Sequence, residues 1–295
     1  MHYKQLIQKK ENFTGNIRIL FANEEKYIAA IINLLKTTHA HIYIYDIEDA
    51  SELIRSYDLD IQLLRRIHFK LNDNLRDLFY SCSQDLEKDS TSILVKGNIS
   101  TTRFKKFLTQ AFGNASQSFN HIACFDLPQY YKTLVLSDVV YQRFPEYKTK
   151  INTIFNLKRF AQSMEYDHFN IGILSSVNQP FVKISSSIDA AKLKEHFAKM
   201  NERFITVDGP ITLDNAIDKN IAIQKNEMSE VAGEVDALLV PDIDVGNAIY
   251  KSFTLIGHAQ VASILLGAAI PISYTSRSDQ LQTIIDSIHL AISLS

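Results

Sequence analysis

The chain has 295 residues, with 31 Lys+Arg against 33 Asp+Glu, 46% hydrophobic and 22% charged residues, 9 Gly and 6 Pro. That is too apolar and too evenly charged for a disordered chain, and too poor in Gly and Pro for a collagen-like one. The neutral balance, with no basic cluster longer than Leu64-Arg65-Arg66 or Lys105-Lys106, also excludes a dedicated nucleic-acid binder, whose affinity rests on counterion release.

Short β-rich runs alternate with helical patterns from the amino end onward. Ile17 to Phe21 reads as a strand, Glu24 to Lys36 as a helix with Ile28, Ile31, Ile32 and Leu35 on one stripe, and Ile42 to Tyr45 as a second strand. This is the spacing of parallel strands joined by crossover helices. Tyr57 to Phe69 has no clear period, and Ser81 to Ser92 is polar enough for a loop or a solvated helix end. Further strands are expected at Ser92 to Val95, Ile122 to Phe125, Thr133 to Leu136, Asn170 to Leu174, Arg203 to Val207, Ala237 to Val240, Ser263 to Leu266 and Ile270 to Tyr274. Helices are expected at Asp73 to Glu87, Thr102 to Ala111, Pro145 to Met164, Ile188 to Lys199, Thr212 to Gln224, Gly246 to Gln260 and Asp279 to Leu294. The class is α/β with mainly parallel sheets. So many elements fit two lobes better than one, with a first boundary near Asp126-Leu127-Pro128.

No apolar run approaches a membrane span, and Met1-His2-Tyr3-Lys4-Gln5 leads into no apolar leader region, so no membrane association and a cytoplasmic location are expected. Cys82 and Cys124 are the two cysteines, which makes neither a disulfide framework nor a four-sulfur zinc site. No Gly-x-Gly occurs, so the dinucleotide fingerprint and the Walker phosphate loop are both absent. A phosphorylated ligand would have to be held by another route.

Four strand-to-helix junctions carry residues suited to that task. Thr275-Ser276-Arg277-Ser278-Asp279 brings hydroxyls, an arginine and free backbone N–H groups to the start of a helix, which is either an anion site or a capped helix end with Asp279 as N-cap. Val207-Asp208-Gly209-Pro210 is either a site loop or a simple turn. Pro241 to Lys251 opens a helix at Gly246-Asn247, with Lys251 one turn further on the same face. Lys96-Gly97-Asn98-Ile99-Ser100-Thr101-Thr102 repeats the theme. His39 and His41 could share one strand face but lack a third ligand of suitable spacing, so no metal is expected. Cys124 sits in an apolar run and reads as a buried thiol.

Taken in order, these segments resemble the phosphate acetyltransferase and phosphate butyryltransferase family, the butyryltransferase branch more closely. The resemblance rests on Val207-Asp208-Gly209-Pro210-Ile211-Thr212-Leu213-Asp214-Asn215-Ala216-Ile217, Ser229 to Asp236, Gly246 to Ser252 and Thr275-Ser276-Arg277. In the first half it rests on Lys96-Gly97 with Thr101, on His121-Ile122-Ala123 and on Leu136-Ser137-Asp138. It implies an enzyme that interconverts acyl-CoA plus phosphate with acyl phosphate plus CoA. Two α/β/α lobes of the isocitrate/isopropylmalate dehydrogenase type are implied, residues 1–125 with 263–295 and residues 126–262, with the site in an interlobe cleft. It further implies a homodimer, coenzyme A as substrate, and no tightly bound cofactor. Ser276, Arg277 and Asp279 would be catalytic, and Lys96, Gly97, Thr101, Asp138, Asp208, Gly209, Asn247 and Lys251 would bind substrate. The chain departs from the family pattern at Gln142, Asn178, Leu281 and Thr283, where Asn, an acid and candidate acidic positions stand in relatives. The alternative is a catalytically weakened relative that binds CoA or acyl phosphate as a sensor or partner subunit.

Overall fold

Eleven strands are found among the residues described by a computed structural model, which covers the whole chain except residues 9, 201, 227 and 228. They are β1 (Asn16–Leu20), β2 (His41–Asp46), β3 (Ile67–Leu71), β4 (Ile93–Lys96), β5 (Asn120–Asp126), β6 (Leu134–Ser137), β7 (Phe169–Leu174), β8 (Ile205–Ile211), β9 (Ala237–Leu239), β10 (Gln260–Leu266) and β11 (Ile272–Tyr274). The longer helices are α1 (Glu25–Thr37), α2 (Leu75–Lys88), α3 (Thr101–Phe112), α4 (Tyr147–Ser163), α5 (Ser185–Lys199), α6 (Ile243–Lys251) and α7 (Leu281–Ser293). The chain divides into a first unit, Leu6–Gln117 with Ala262–Ser295, and a second unit, Met1–Gln5 with Ser118–Val261. Crossings between the units are expected from the sequence near Asp126 and Ala262. In the structure β5 groups with the second unit, where it pairs antiparallel with β6.

In the first unit the strands run in the order β3-β2-β1-β4-β11-β10. All neighbours are parallel except β10 and β11. A parallel strand buried on both faces needs a continuous apolar run, and β1 and β4 supply it with Ile17, Ile19, Leu20, Ile93, Leu94 and Val95. The stripe Ile28, Ile31, Ile32 and Leu35 of α1 is buried as its period requires, and α7 packs against α1 through its own apolar stripe, Ile284, Ile285 and Ile288.

The stretch without a period holds a short helix, Ile61–Leu64, and then β3. β3 alternates as a strand should, but it closes one end of the sheet order, and Phe69 and Leu71 remain exposed. The polar tract after Ser81 is largely helical. Leu78, Cys82 and Leu86 form a buried stripe at four-residue spacing, which carries α2 through to Lys88.

In the second unit the order is β5-β6-β9-β7-β8, parallel apart from the β5–β6 pair. Its core gathers Phe125, Leu136, Val139, Ile211, Leu238 and Tyr250. Three expectations are corrected here. The helix expected over Thr212 to Gln224 is two short ones, Leu213–Ile217 and Lys219–Gln224, because the Asp218 carboxylate accepts from Asn220 N and Ile221 N and starts a new helix. The helix expected from Gly246 opens three residues earlier at Ile243, capped by Asp242. It gives way to a wider π turn at Ser252–Ile256 before Gln260 opens β10. Asp208-Gly209-Pro210 is neither turn nor loop, since β8 runs through it to Ile211, with a register shift against β7 between Gly172 and Leu174.

Candidate functional site

On the first unit, the carboxyl ends of β4 and β11 lie side by side, because Tyr274 is the register partner of Lys96. Lys96 is 1% exposed. Its Nζ donates to the Thr275 carbonyl at 2.8 Å and stands 5.4 Å from the centre of the Tyr274 ring. Burial pushes this ammonium down to about 8; Asp279 opposes that shift, while Arg277 and Lys26 add to it. Gly97 follows directly, and a Cβ there would stand 2.0 Å from the Phe21 carbonyl oxygen, so only glycine lets the chain pass β1 at this distance. Thr101 is exposed at the first position of α3, behind the Ser100 cap that accepts from Arg103 N at 3.3 Å.

Past β11 the chain forms a tight loop. Ser276 N donates to Asp279 Oδ2 at 2.7 Å, Asp279 N donates to the Ser276 carbonyl at 3.0 Å, and the hydroxyls of Ser276 and Ser278 share a hydrogen bond of 2.9 Å. Lys26, in the first turn of α1, donates through Nζ to the Arg277 carbonyl. The side chains of Ser276 and Arg277 are exposed. The N-cap of α7 is Gln280, with no side-chain cap, which corrects the reading of Asp279 as a cap. Asp279 instead closes the loop on Ser276. Lys96, Ser276, Arg277 and Asp279 are thus brought together. Lys26 joins them without a sequence signal of its own, since it lies off the apolar stripe of its helix.

On the second unit the predicted residues have different surroundings. Asp138 follows β6, and its carboxylate is buried and wholly engaged by backbone. Oδ2 accepts from His121 N at 2.7 Å, and Oδ1 accepts from Val140 N at 2.8 Å and Tyr141 N at 2.7 Å. Burial raises its pKa to about 6 against the opposing pull of these N–H groups. Asp208 is 3% exposed; Oδ1 accepts from Gly209 N at 2.7 Å and pairs with Lys194 Nζ at 2.6 Å, while Oδ2 accepts from Glu230 N at 2.9 Å. Asn247 is exposed on α6, and Lys251, one turn on, lays its ammonium 5.2 Å from the centre of the Tyr250 ring.

Two of the departing residues have structural tasks of their own. Gln142 Nε2 donates to the Phe119 carbonyl at 2.7 Å, and Asn178 Oδ1 accepts from Thr212 N at 2.8 Å. Leu281 and Thr283 lie in the first turn of α7.

Also within the second unit is a cavity of about 840 Å³, a size typical of small-molecule sites. It lies at the carboxyl ends of its parallel strands, where open α/β sheets place ligands. Leu174, Ser175, Thr212 and Pro241 face it from the strand ends, Ser185 and Ser186 from the start of α5, and Lys150 from α4. The hydroxyl run Ser185-Ser186-Ser187 ahead of a helical pattern was the sequence signal for this wall. Lys150 is bound at 2.8 Å to Asp189.

Other candidates recede. His41 Nδ1 lies 3.1 Å from His68 Nε2, but no group of three or more His, Cys, Asp or Glu among the described residues could hold a metal ion. Cys124 is buried, and burial pushes its thiol well above the ordinary range, away from nucleophilic use. Among the described residues no helix is long and apolar enough to cross a membrane.

Comparison with known proteins agrees along nearly the whole chain. The phosphate butyryltransferase of Clostridium acetobutylicum is 26% identical over 299 residues, covering 98% of this chain and 96% of that protein. A probable phosphate butyryltransferase of Bacillus subtilis is 32% identical over 69% of each chain. Among solved structures, a branched-chain phosphotransacylase from Enterococcus faecalis V583 superposes with a TM-score of 0.80 at 27% identity, over 95% of this chain and 98% of that one. Residues 5–292 match the family described as phosphate acetyl/butaryl transferase, and the chain belongs to this family of acyltransferases.

Proposed function

We propose that the protein transfers a short or branched acyl group between coenzyme A and inorganic phosphate, by direct attack and without a covalent enzyme intermediate. The observation that carries this reading is the pairing of an exposed Ser276-Arg277 loop with the buried Lys96 ammonium beneath it. In one direction a phosphate oxygen attacks the thioester carbonyl carbon, the C–S bond breaks, and the CoA thiolate leaves and takes up a proton. In the other the thiolate attacks the acyl phosphate carbonyl carbon, and the C–O bond to phosphate breaks.

Either way the enzyme must hold a phosphoryl group and stabilise negative charge that grows on the carbonyl oxygen. The Arg277 guanidinium can give the phosphoryl oxygens two parallel charge-assisted hydrogen bonds. The Ser276 hydroxyl donates to the thiolate or to phosphate. Lys96 adds positive potential from below, because a buried charge is poorly screened. Asp279 is the carboxylate that this loop itself offers for the thiol proton, and its Oδ2 already accepts from Ser276 N. Thr101, in the same unit, is a further substrate contact in this reading; in the second unit Asp138 and Asp208 hold backbone. CoA enters as a substrate, the protein works in the cytoplasm, and it acts as a homodimer.

The test is to mix the protein with CoA and acetyl, propionyl, butyryl or isobutyryl phosphate and follow loss of free thiol. Turnover with at least one of them is expected, and none with any would refute the reading. A second reading is favoured by the engagement of Asp279 and by Leu281 and Thr283 in the first turn of α7. It makes the protein a binder of CoA or acyl phosphate with little turnover. Thermal stabilisation by CoA without thiol loss would select it, because a ligand of the native state raises apparent stability.

A further inference from the structure

Loops joining a strand to a helix are ordinarily the mobile part of an α/β unit, and catalysis by a loop arginine needs that mobility removed. The loop after β11 has three consecutive residues, each with one backbone group held from a different place. Lys96 of β4 binds the Thr275 carbonyl at 2.8 Å, the Asp279 carboxylate binds Ser276 N at 2.7 Å, and Lys26 of α1 binds the Arg277 carbonyl. Two of the three holds are ammonium groups, one on either side of Ser276. Lys26 is itself steadied, with Glu24 Oε2 at 3.5 Å and the centre of the Tyr27 ring at 5.4 Å. With both carbonyls turned toward the lysines, the Ser276 hydroxyl and the Arg277 guanidinium are left on the exposed side.

We propose that Lys26 is a positioning residue for Arg277, fixing its peptide plane from α1 while Lys96 fixes that of Thr275, so that the guanidinium is held at one orientation toward the phosphoryl group. This rests on the reading of Ser276-Arg277 as the reacting loop. Lys26 touches no substrate; it acts through the carbonyl of the residue that does. Arginine at this position keeps a cationic donor for that carbonyl. Methionine keeps the aliphatic stem and removes the donor.

The experiment compares wild type with Lys26→Met, Lys26→Arg, Arg277→Ala and the double variant Lys26→Met with Arg277→Ala. Amide hydrogen exchange across residues 275–279 is measured, along with kcat and KM for thiol consumption from butyryl phosphate and CoA. Lys26→Met is expected to exchange faster in this loop than wild type, with unchanged protection in α1 and β4. Its kcat should fall about tenfold with KM for CoA within about twofold, the pattern of lost orientation rather than lost binding. Lys26→Arg should recover wild-type exchange and most of the kcat. In the Arg277→Ala background the Lys26→Met change should cost nothing more, because two residues acting as one unit are not additive.

Wild-type exchange in Lys26→Met overturns the proposal, as does a full kcat loss that repeats in the Arg277→Ala background. If wild type itself shows no turnover, the acyl-transfer reading fails alone. Loop exchange then still decides whether Lys26 fixes the Arg277 peptide.

Discussion

The backbone of Gly246 lies so close to Asp138 that a Cβ on Gly246 would stand 2.5 Å from the Asp138 carbonyl oxygen and 3.1 Å from Val139 Cα. The amino end of α6 is thereby seated directly on the turn that follows β6. Gly246→Ala forces these two backbones apart. It is expected to destabilise the protein by about 1–3 kcal/mol, the cost of overpacking against atoms that cannot rotate away. Chemical denaturation of the two proteins measures it, and equal midpoints would refute the close approach.

Asp138 makes a second prediction of its own. An Asn at this position keeps one acceptor oxygen for Val140 N and Tyr141 N, but turns an amide N–H toward His121 N. The orphaned donor costs roughly 1–3 kcal/mol. A pH signature accompanies the loss. Because burial raises the folded pKa of Asp138 to about 6, its contribution is fully present below the ordinary carboxylate value and fades as pH rises through about 6. The stability gap between wild type and Asp138→Asn should therefore widen as pH is lowered from about 6 toward 4. A gap independent of pH in that window would refute it.

Lys96 titrates in the opposite sense. Its folded pKa is pushed down to about 8, so between about 8 and the ordinary lysine value the unfolded chain binds more protons than the folded one. Stability of wild type relative to Lys96→Met should rise with pH across that interval and be flat below it. Denaturation at pH 7 and pH 10 distinguishes this from a lysine that stays charged throughout.

For Arg277 the expectation is kinetic. Removing a charge-assisted hydrogen bond worth about 1.5–3 kcal/mol lowers turnover ten- to more than a hundredfold in Arg277→Ala. Arg277→Lys should remain well below wild type, since an ammonium cannot reproduce the planar two-donor fork. Folding should be unaffected in both because the side chain is exposed. Near-normal turnover in Arg277→Ala would remove Arg277 from the chemistry.

How much of this was legible depended on how local each signal was. The buried parallel strands β1, β4 and β7 announced themselves as β-branched and apolar runs, because both of their faces are covered. β3 did not, since Phe69 and Leu71 on the outermost strand have no apolar partner to make their alternation decisive. The break at Asp218 and the continuation of β8 through Gly209-Pro210 were missed for a shared reason. Asp, Gly and Pro are read as punctuation, and only the neighbouring strand or the cap bond decides whether they interrupt. In the site, Ser276, Arg277 and Lys96 could be named from junction chemistry and family resemblance. That both Asp279 and Lys26 hold the loop by backbone atoms could not, because a bond to a carbonyl leaves no mark on the identity of the residue that owns it.

The order of the strands has a consequence during synthesis. β4 is flanked by β1, made before it, and by β11, which follows the whole of Ser118–Val261 in the chain. Until β11 is made the nascent first unit carries a strand with one bare side, the kind of surface that invites pairing with other chains and engages chaperones. The residues that cover this side lead straight into Ser276 and Arg277. A message broken anywhere before β11 therefore leaves this strand edge bare, so the segment that leads into Ser276 and Arg277 also shields β4 from pairing with other chains.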